Sequence, residues 1–128
     1  MSEEHKMQNR IRNELAGECL LFRANVGKGW TGDVYKLPNG DILIKNPRPF
    51  DTGLPPGFTD TFGLVKELIT AEMVGTYVGR FVAPEVKAAK GKATKLQLAF
   101  HAAVNNNGGR AGVVRSPEDA RKLIWGLK

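Results

Sequence analysis

At 128 residues, with 41% hydrophobic and 25% charged side chains, the chain matches one folded domain that can bury its own core. That excludes a disordered or fibrous protein. One cysteine excludes an internal disulfide, and with only two histidines beside it a structural zinc site is excluded too. The net charge of +6 is uneven: residues 1–79 hold nine Lys/Arg against ten Asp/Glu, and residues 80–128 hold ten against three. A basic second half suits a phosphate backbone and suits equally a solvated lysine-rich face. The cysteine usage fits a reducing cytoplasm. No apolar run is long enough to span a bilayer, and the N-terminal segment is too polar for a secretory signal.

Taken in chain order, Met7, Ile11 and Leu15 recur at helical spacing and predict a helix over residues 4–15 with that stripe toward the core. Glu14 returns almost to the azimuth of Met7 at roughly 100° per residue. A carboxylate in an apolar stripe must be paired, metal-bound or at the stripe's edge. Residues 20–26 predict the first strand. The glycine-rich connection after it contains Gly27-Lys28 without the Ser/Thr of a phosphate-binding loop, so no such loop is expected there. Residues 33–37 and 41–45 predict a hairpin around Pro38-Asn39-Gly40. Residues 46–59 hold four prolines and two glycines and predict irregular structure leading to Asp60. Residues 61–69 predict a buried strand and residues 70–75 a single helical turn. Residues 80–87 predict a strand, with a bulge to accommodate Pro84. A helix follows over residues 93–105, with Leu96, Ala99, Phe100, Ala103 and Val104 on its core face, ended by Asn106-Asn107-Gly108-Gly109. Residues 112–115 predict a short strand. Ser116-Pro117-Glu118-Asp119 opens the last helix with a serine cap, proline at the first position and acids in the first turn. The order predicts an α/β fold: a mixed β-sheet flanked by α-helices in one domain spanning residues 1–128.

Glu85-Val86-Lys87 carries the chemistry. On a strand, side chains alternate faces, so Glu85 and Lys87 share one face and Val86 takes the other. A carboxylate and an amine side by side at a strand end can bind a hard cation and position a water. Asp60 stands 25 residues upstream in a Gly-Phe-Thr-Asp turn. Asp followed at a distance by Glu-x-Lys is the arrangement of metal-dependent phosphodiester nucleases. A charged surface strand is the plainer alternative.

Around this triplet stand Glu14 on the first helix, Arg23-Ala24-Asn25-Val26-Gly27, Gly57-Phe58-Thr59-Asp60, Gln97, and the tail from Gly108-Gly109-Arg110 to Pro117-Glu118-Asp119-Ala120. In this order, over almost the whole chain, the pattern resembles a stand-alone VRR-NUC (virus-type replication-repair nuclease) domain of the PD-(D/E)XK nuclease superfamily. The resemblance implies a restriction-endonuclease-like core. It also implies a Mg²⁺ or Mn²⁺ held by Asp60, Glu85 and the backbone carbonyl of Val86, with Glu14 completing the acidic cluster. Lys87 would orient or activate the attacking water, and Gln97 would contact the lysine's surroundings. Arg23, Asn25, Lys90, Lys92 and Lys95 would contact DNA. The implied substrate is branched DNA such as a four-way Holliday junction, cut by a homodimer in the cytoplasm of a prokaryotic or phage-infected cell. Ala88 departs from relatives that carry a hydroxyl residue after the lysine, and residues 66–78 read as an insertion. Two other classes compete. One is a nuclease-like module that binds nucleic acid without turnover. The other is an RNA-binding domain, which requires exposed aromatics, whereas most aromatics here fall in runs expected in the core.

Overall fold

The computed structural model describes residues 2–128 and folds them as α/β, with three helices and six strands among the described residues. Phe22–Phe62 form one compact unit, and the segments on either side of it form the other. Strands β1 (Leu20–Arg23) and β4 (Thr61–Leu64) pair with each other. The single mixed sheet expected from the sequence is instead divided into three two-stranded pairs.

Within Phe22–Phe62 the dominant element is an antiparallel hairpin of β2 (Lys28–Lys36) and β3 (Ile42–Asp51). Its tip turns through Asn39 and Gly40. Gly40 has φ +91°, in the left-handed region that costs glycine little, and Asp41 N–H donates to the Asn39 side chain. The hairpin is far longer than expected and runs through Pro47 and Pro49. Thr52 N–H donates to Gly27 C=O, so the even-numbered residues of this end of β3 point their N–H groups at β2. The two prolines fall on the odd positions, where an N–H would point outward, so no ladder bond is lost. A bulge between Thr31 and Asp33 is absorbed by Asn46, with φ +52°. Gly32 sits in it, and a Cβ there would strike the carbonyl oxygen of Lys45. The hairpin leaves Trp30, Val34 and Ile42 about 60% exposed.

The other unit is organised by β5 (Val82–Val86) and β6 (Arg110–Val114), which pair in parallel and are joined through α2 (Lys95–Asn106). A parallel pair needs such a crossover, and a helix supplies it. Helices α2 and α3 (Pro117–Trp125) pack on β6, and α3 also on β5. Val104, Ala111 and Val114 are the buried apolar residues. The face of α2 that is buried differs from the expected one by about a quarter turn. His101 and Val104 are buried and Gln97 is partly shielded, whereas Leu96 is 84% exposed. Asn105 explains part of this orientation. Its side chain accepts from Ala111 N–H (2.8 Å) and donates to Ala111 C=O (3.1 Å), so it stands in for a neighbouring strand on the outer edge of β6.

Helix α1 (Glu3–Glu14) is capped by Ser2, whose hydroxyl accepts from His5 N–H, with Glu3 and Glu4 in the first turn. Its Met7–Ile11 stripe does not face the core: both are exposed, and the partly shielded side carries Gln8, Arg12 and Leu15. Strand β4 ends at Leu64, short of the expected residue 69. A single 3₁₀ turn at Ala71–Met73 matches the predicted turn. Residues 65–78 carry Leu68, Val74 and Tyr77 almost wholly exposed. Helix α3 starts as predicted, with the Ser116 hydroxyl accepting from Asp119 N–H and Pro117 in the first turn. It ends at Gly126 (φ +65°), where Arg110 Nη1 donates to Ile124 C=O at 2.6 Å.

Val104→Ala removes two methyl groups from the centre of this packing and is expected to cost roughly 2 kcal/mol of unfolding free energy. Leu96→Ala on the same helix should stay within about 0.5 kcal/mol of the parent. Urea unfolding monitored by circular dichroism separates the two.

Candidate functional site

The β5 strand holds Glu85 and Lys87 as its two-residue period requires. Phe81, Ala83, Glu85 and Lys87 are all partly shielded, while Val82, Pro84 and Val86 face solvent, Val86 at 75% exposure. The register of β5 on β6 is unbroken from Val82–Arg110 to Val86–Val114, so the bulge expected at Pro84 is absent. Parity is the reason. Lys87 N–H donates to Val114 C=O at 3.1 Å, and Phe81 C=O accepts from Arg110 N–H at 2.9 Å, so the odd residues of β5 make the ladder. Pro84 is even, and its missing N–H would have pointed away from β6. The same parity turns the carbonyl of Val86 away from β6, out of the ladder. No hydrogen bond or ion pair to another described residue engages the Glu85 carboxylate or the Lys87 ammonium.

Beyond Lys87 the chain makes a tight turn, Gly91 N–H to Ala88 C=O at 3.0 Å, and enters α2 at the Thr94 cap. Lys90, Lys92 and Lys95 are all exposed along this entry. Helix α2 has no acid in its first turn, unlike α1 and α3. Lysines at the positive end of a helix dipole oppose it, so they do not serve helix stability there. Gln97 is committed locally. Its side-chain oxygen accepts from Thr94 N–H (2.9 Å), and the Thr94 hydroxyl accepts from Gln97 N–H (3.1 Å), a reciprocal capping box. The threonine three residues ahead of the glutamine was the sequence signal for this box.

Glu14 is 66% exposed on its side chain and paired with Arg10 Nε at 3.1 Å. The stripe that seemed to bury it is itself on the surface, which removes the anomaly of a carboxylate among apolar neighbours. Asp60 belongs to the Phe22–Phe62 unit. Its carbonyl accepts from Ala24 N–H at 2.9 Å, which sets Asp60 opposite the Arg23-Ala24-Asn25 stretch at the end of β1. Asp60, Arg23 and Asn25 are all exposed. The turn that presents Asp60 is anchored by Phe58 and Phe62, whose rings meet edge to face at 5.5 Å, and by Phe22 at 5.6 Å from Phe62. Among the described residues, no three His, Cys, Asp or Glu side chains gather as a metal-binding group.

Sequence reasoning missed two features. His101 is buried on α2, and its spacing from Gln97 and to Val104 (i+4, then i+3) was the available signal. The aromatics expected in the core are in several cases exposed: Trp30, Tyr35 and Phe50 on the hairpin, Tyr77, and Trp125. On the hairpin Lys45 Nζ lies 5.3 Å from the Tyr35 ring centre. No helix is long and apolar enough to cross a membrane among the described residues. No protein-family model, curated protein or solved structure matches the chain.

Thr94→Ala and Gln97→Ala should each lower stability by about 1 kcal/mol through loss of the capping box. Gln97→Glu keeps an acceptor at the same helix position and should retain most of that stability. Thermal unfolding of the three variants tests this.

Proposed function

We propose that the chain is a metal-dependent endodeoxyribonuclease of the VRR-NUC type, built on a restriction-endonuclease-like core. The observation that carries the reading is the half-shielded face of β5, on which a carboxylate and an ammonium share one side of the strand with neither drawn into an ion pair with another described residue. A merely structural Glu-x-Lys would be expected to pair its charges with neighbours or release them fully to solvent. The element order also supports it. With the β2–β3 hairpin set aside as an insertion, the chain runs helix, strand, strand, strand, helix, strand, and closes with helix α3.

The donor chemistry fits a hard divalent cation. Magnesium takes oxygen ligands and commonly uses only one or two carboxylates, keeping waters for the rest. The resemblance assigns Asp60 and Glu85 as those carboxylates and the Val86 carbonyl, which is free of the strand ladder, as a further oxygen. Glu14, held by Arg10, is the weaker member of that set. When bound, such a cation lowers the pKa of a coordinated water and offsets charge on the phosphate. Lys87 supplies the remaining positive charge: its ammonium orients the attacking water and balances the negative charge that accumulates on the phosphoryl oxygens. Lys90, Lys92 and Lys95, with Arg23 and Asn25, contact the phosphate backbone and fix the duplex without reading its sequence. Cleavage leaves a 5′-phosphate and a 3′-hydroxyl. The substrate is branched DNA, a four-way junction foremost, and the acting form is a homodimer in the cytoplasm. A two-fold junction needs two cuts, and one site per chain meets that need through a C2 pair. The exposed apolar side chains of the hairpin and of residues 65–78 offer surface for such a pair.

The second reading is a nucleic-acid-binding module without turnover, and the exposed Trp30, Tyr35 and Phe50 favour it, since exposed rings beside Lys45 and Arg48 suit base stacking. Incubation with labelled four-way junction, flap and linear duplex, with and without Mg²⁺ or Mn²⁺, decides between them. The nuclease reading expects cutting of branched DNA that chelation by EDTA abolishes. It also expects that Asp60→Ala, Glu85→Ala and Lys87→Ala each reduce cutting by more than about a hundredfold while keeping the parent's melting temperature within a few degrees. Tight binding with no cation-dependent cutting by the parent would establish the second reading instead.

A further inference from the structure

We propose that Arg115 is a positioning residue for Lys87, a role that rests on the nuclease reading above. Lys87 lies at the last rung of the β5–β6 ladder, where only its N–H, bonded to Val114 C=O, ties it to the sheet. The following residues, Ala88 and Ala89, are small and exposed and bring no packing of their own. A strand end of this kind frays, and its last side chain wanders with it. Arg115, the residue after Val114, prevents this. Its Nη1 donates to Ala88 C=O at 2.5 Å and lies 3.4 Å from Ala89 C=O. One guanidinium thus clamps the carbonyls of the two residues that follow Lys87.

Arg115 is itself held. Its backbone N–H donates to the Asp119 carboxylate at 3.0 Å, and Asp119 N–H is in turn bound by the Ser116 hydroxyl at 3.0 Å. The start of α3 therefore fixes the arginine's backbone, and the arginine's head fixes the exit from β5. The contact spans 27 residues of sequence and joins the exits of the two parallel strands, β5 and β6. An alternative use of an exposed arginine beside three lysines is direct contact with a phosphate, and the two uses predict different kinetics. A positioning residue acts on the geometry of the reacting group, so its loss lowers kcat and leaves KM. A phosphate contact acts on binding, so its loss raises KM and reduces the salt dependence.

The test compares the parent with Arg115→Ala, Arg115→Lys and Val104→Ala on a labelled four-way junction with Mg²⁺ over a range of salt, alongside amide hydrogen exchange of the DNA-free proteins. Positioning expects Arg115→Ala to lower kcat on the order of tenfold to a hundredfold. KM stays within about twofold and the salt slope is unchanged. Amides from Lys87 to Gly91 exchange faster while those of α2 and α3 keep their protection. Arg115→Lys, which can still donate to Ala88, recovers part of the lost rate. Val104→Ala destabilises the fold at its core without touching the guanidinium or the contacts that hold it, and serves as the control for general destabilisation, with kcat near the parent's. A KM effect with a changed salt slope, an unchanged kcat in Arg115→Ala, or unaltered exchange at Lys87–Gly91 overturns the proposal. A parent that cuts none of the substrates removes the nuclease reading itself, whereas a parent that cuts as fast as Arg115→Ala removes only the role given to Arg115.

Discussion

The parallel register of β5 on β6 decides the rest of what matters in this molecule. Parallel strands bond through alternate residues only, so the choice of odd residues on β5 as the bonded set has three consequences at once. It lets Pro84 sit in mid-strand without breaking a bond, it leaves the Val86 carbonyl outside the ladder, and it bonds the backbone of Lys87 to Val114. A slip of one residue would reverse every one of these and would turn Glu85 and Lys87 to the face now held by Val86. Side chains also hold β6 from outside the pair. Asn105 occupies the free edge of β6 at Ala111, and Arg110 reaches the C-terminus of α3.

A two-stranded parallel pair has little stability of its own. Its support comes from a small core, Val104 from α2 with Ala111 and Val114 from β6, and from polar contacts at its margins. These margins are where the basic segment sits. The turn after Lys87 and the first residue of α2 carry three exposed lysines that no helix-dipole argument explains, and the capping box of Thr94 and Gln97 holds that helix start rigid against their mutual repulsion. Charge is therefore presented on a braced turn and not on a loose tail, an arrangement that favours contact with a polyanion at fixed spacing.

Much of this was legible in the sequence where a local rule and the tertiary context agree. The period of two set Glu85 and Lys87 on a shared face. The serine, proline and acids at residues 116–119 set the start of α3. The Asn-Gly pair set the turn of the hairpin. The failures have a common cause. The number of prolines over residues 46–59 predicts irregular structure, whereas the cost of each depends on whether the lost N–H points into the ladder, and at Pro47 and Pro49 it points out. Hydrophobicity alone predicts the Leu96 face of α2 as the core face, whereas with Asn105 bonded to β6 and Gln97 in the cap the helix buries His101 and leaves Leu96 exposed. Glu14 was placed correctly on the Met7–Ile11 stripe, and only the direction of that stripe was wrong. No intramolecular periodicity reports which side of a lone amphipathic helix finds a partner.

The exposed apolar side chains bear on the same point. The hairpin carries Trp30, Val34 and Ile42 in the open, and an isolated hairpin is marginal in water unless a third element covers one face. Residues 65–78 add Leu68, Val74 and Tyr77 without regular structure to shield them. Patches of this kind are retained where association covers them, because otherwise they invite aggregation. The hydrophobic pattern in those two segments thus lies on exposed surface and not in a core, and under the proposed function a second copy of the chain or the bases of its DNA would cover it.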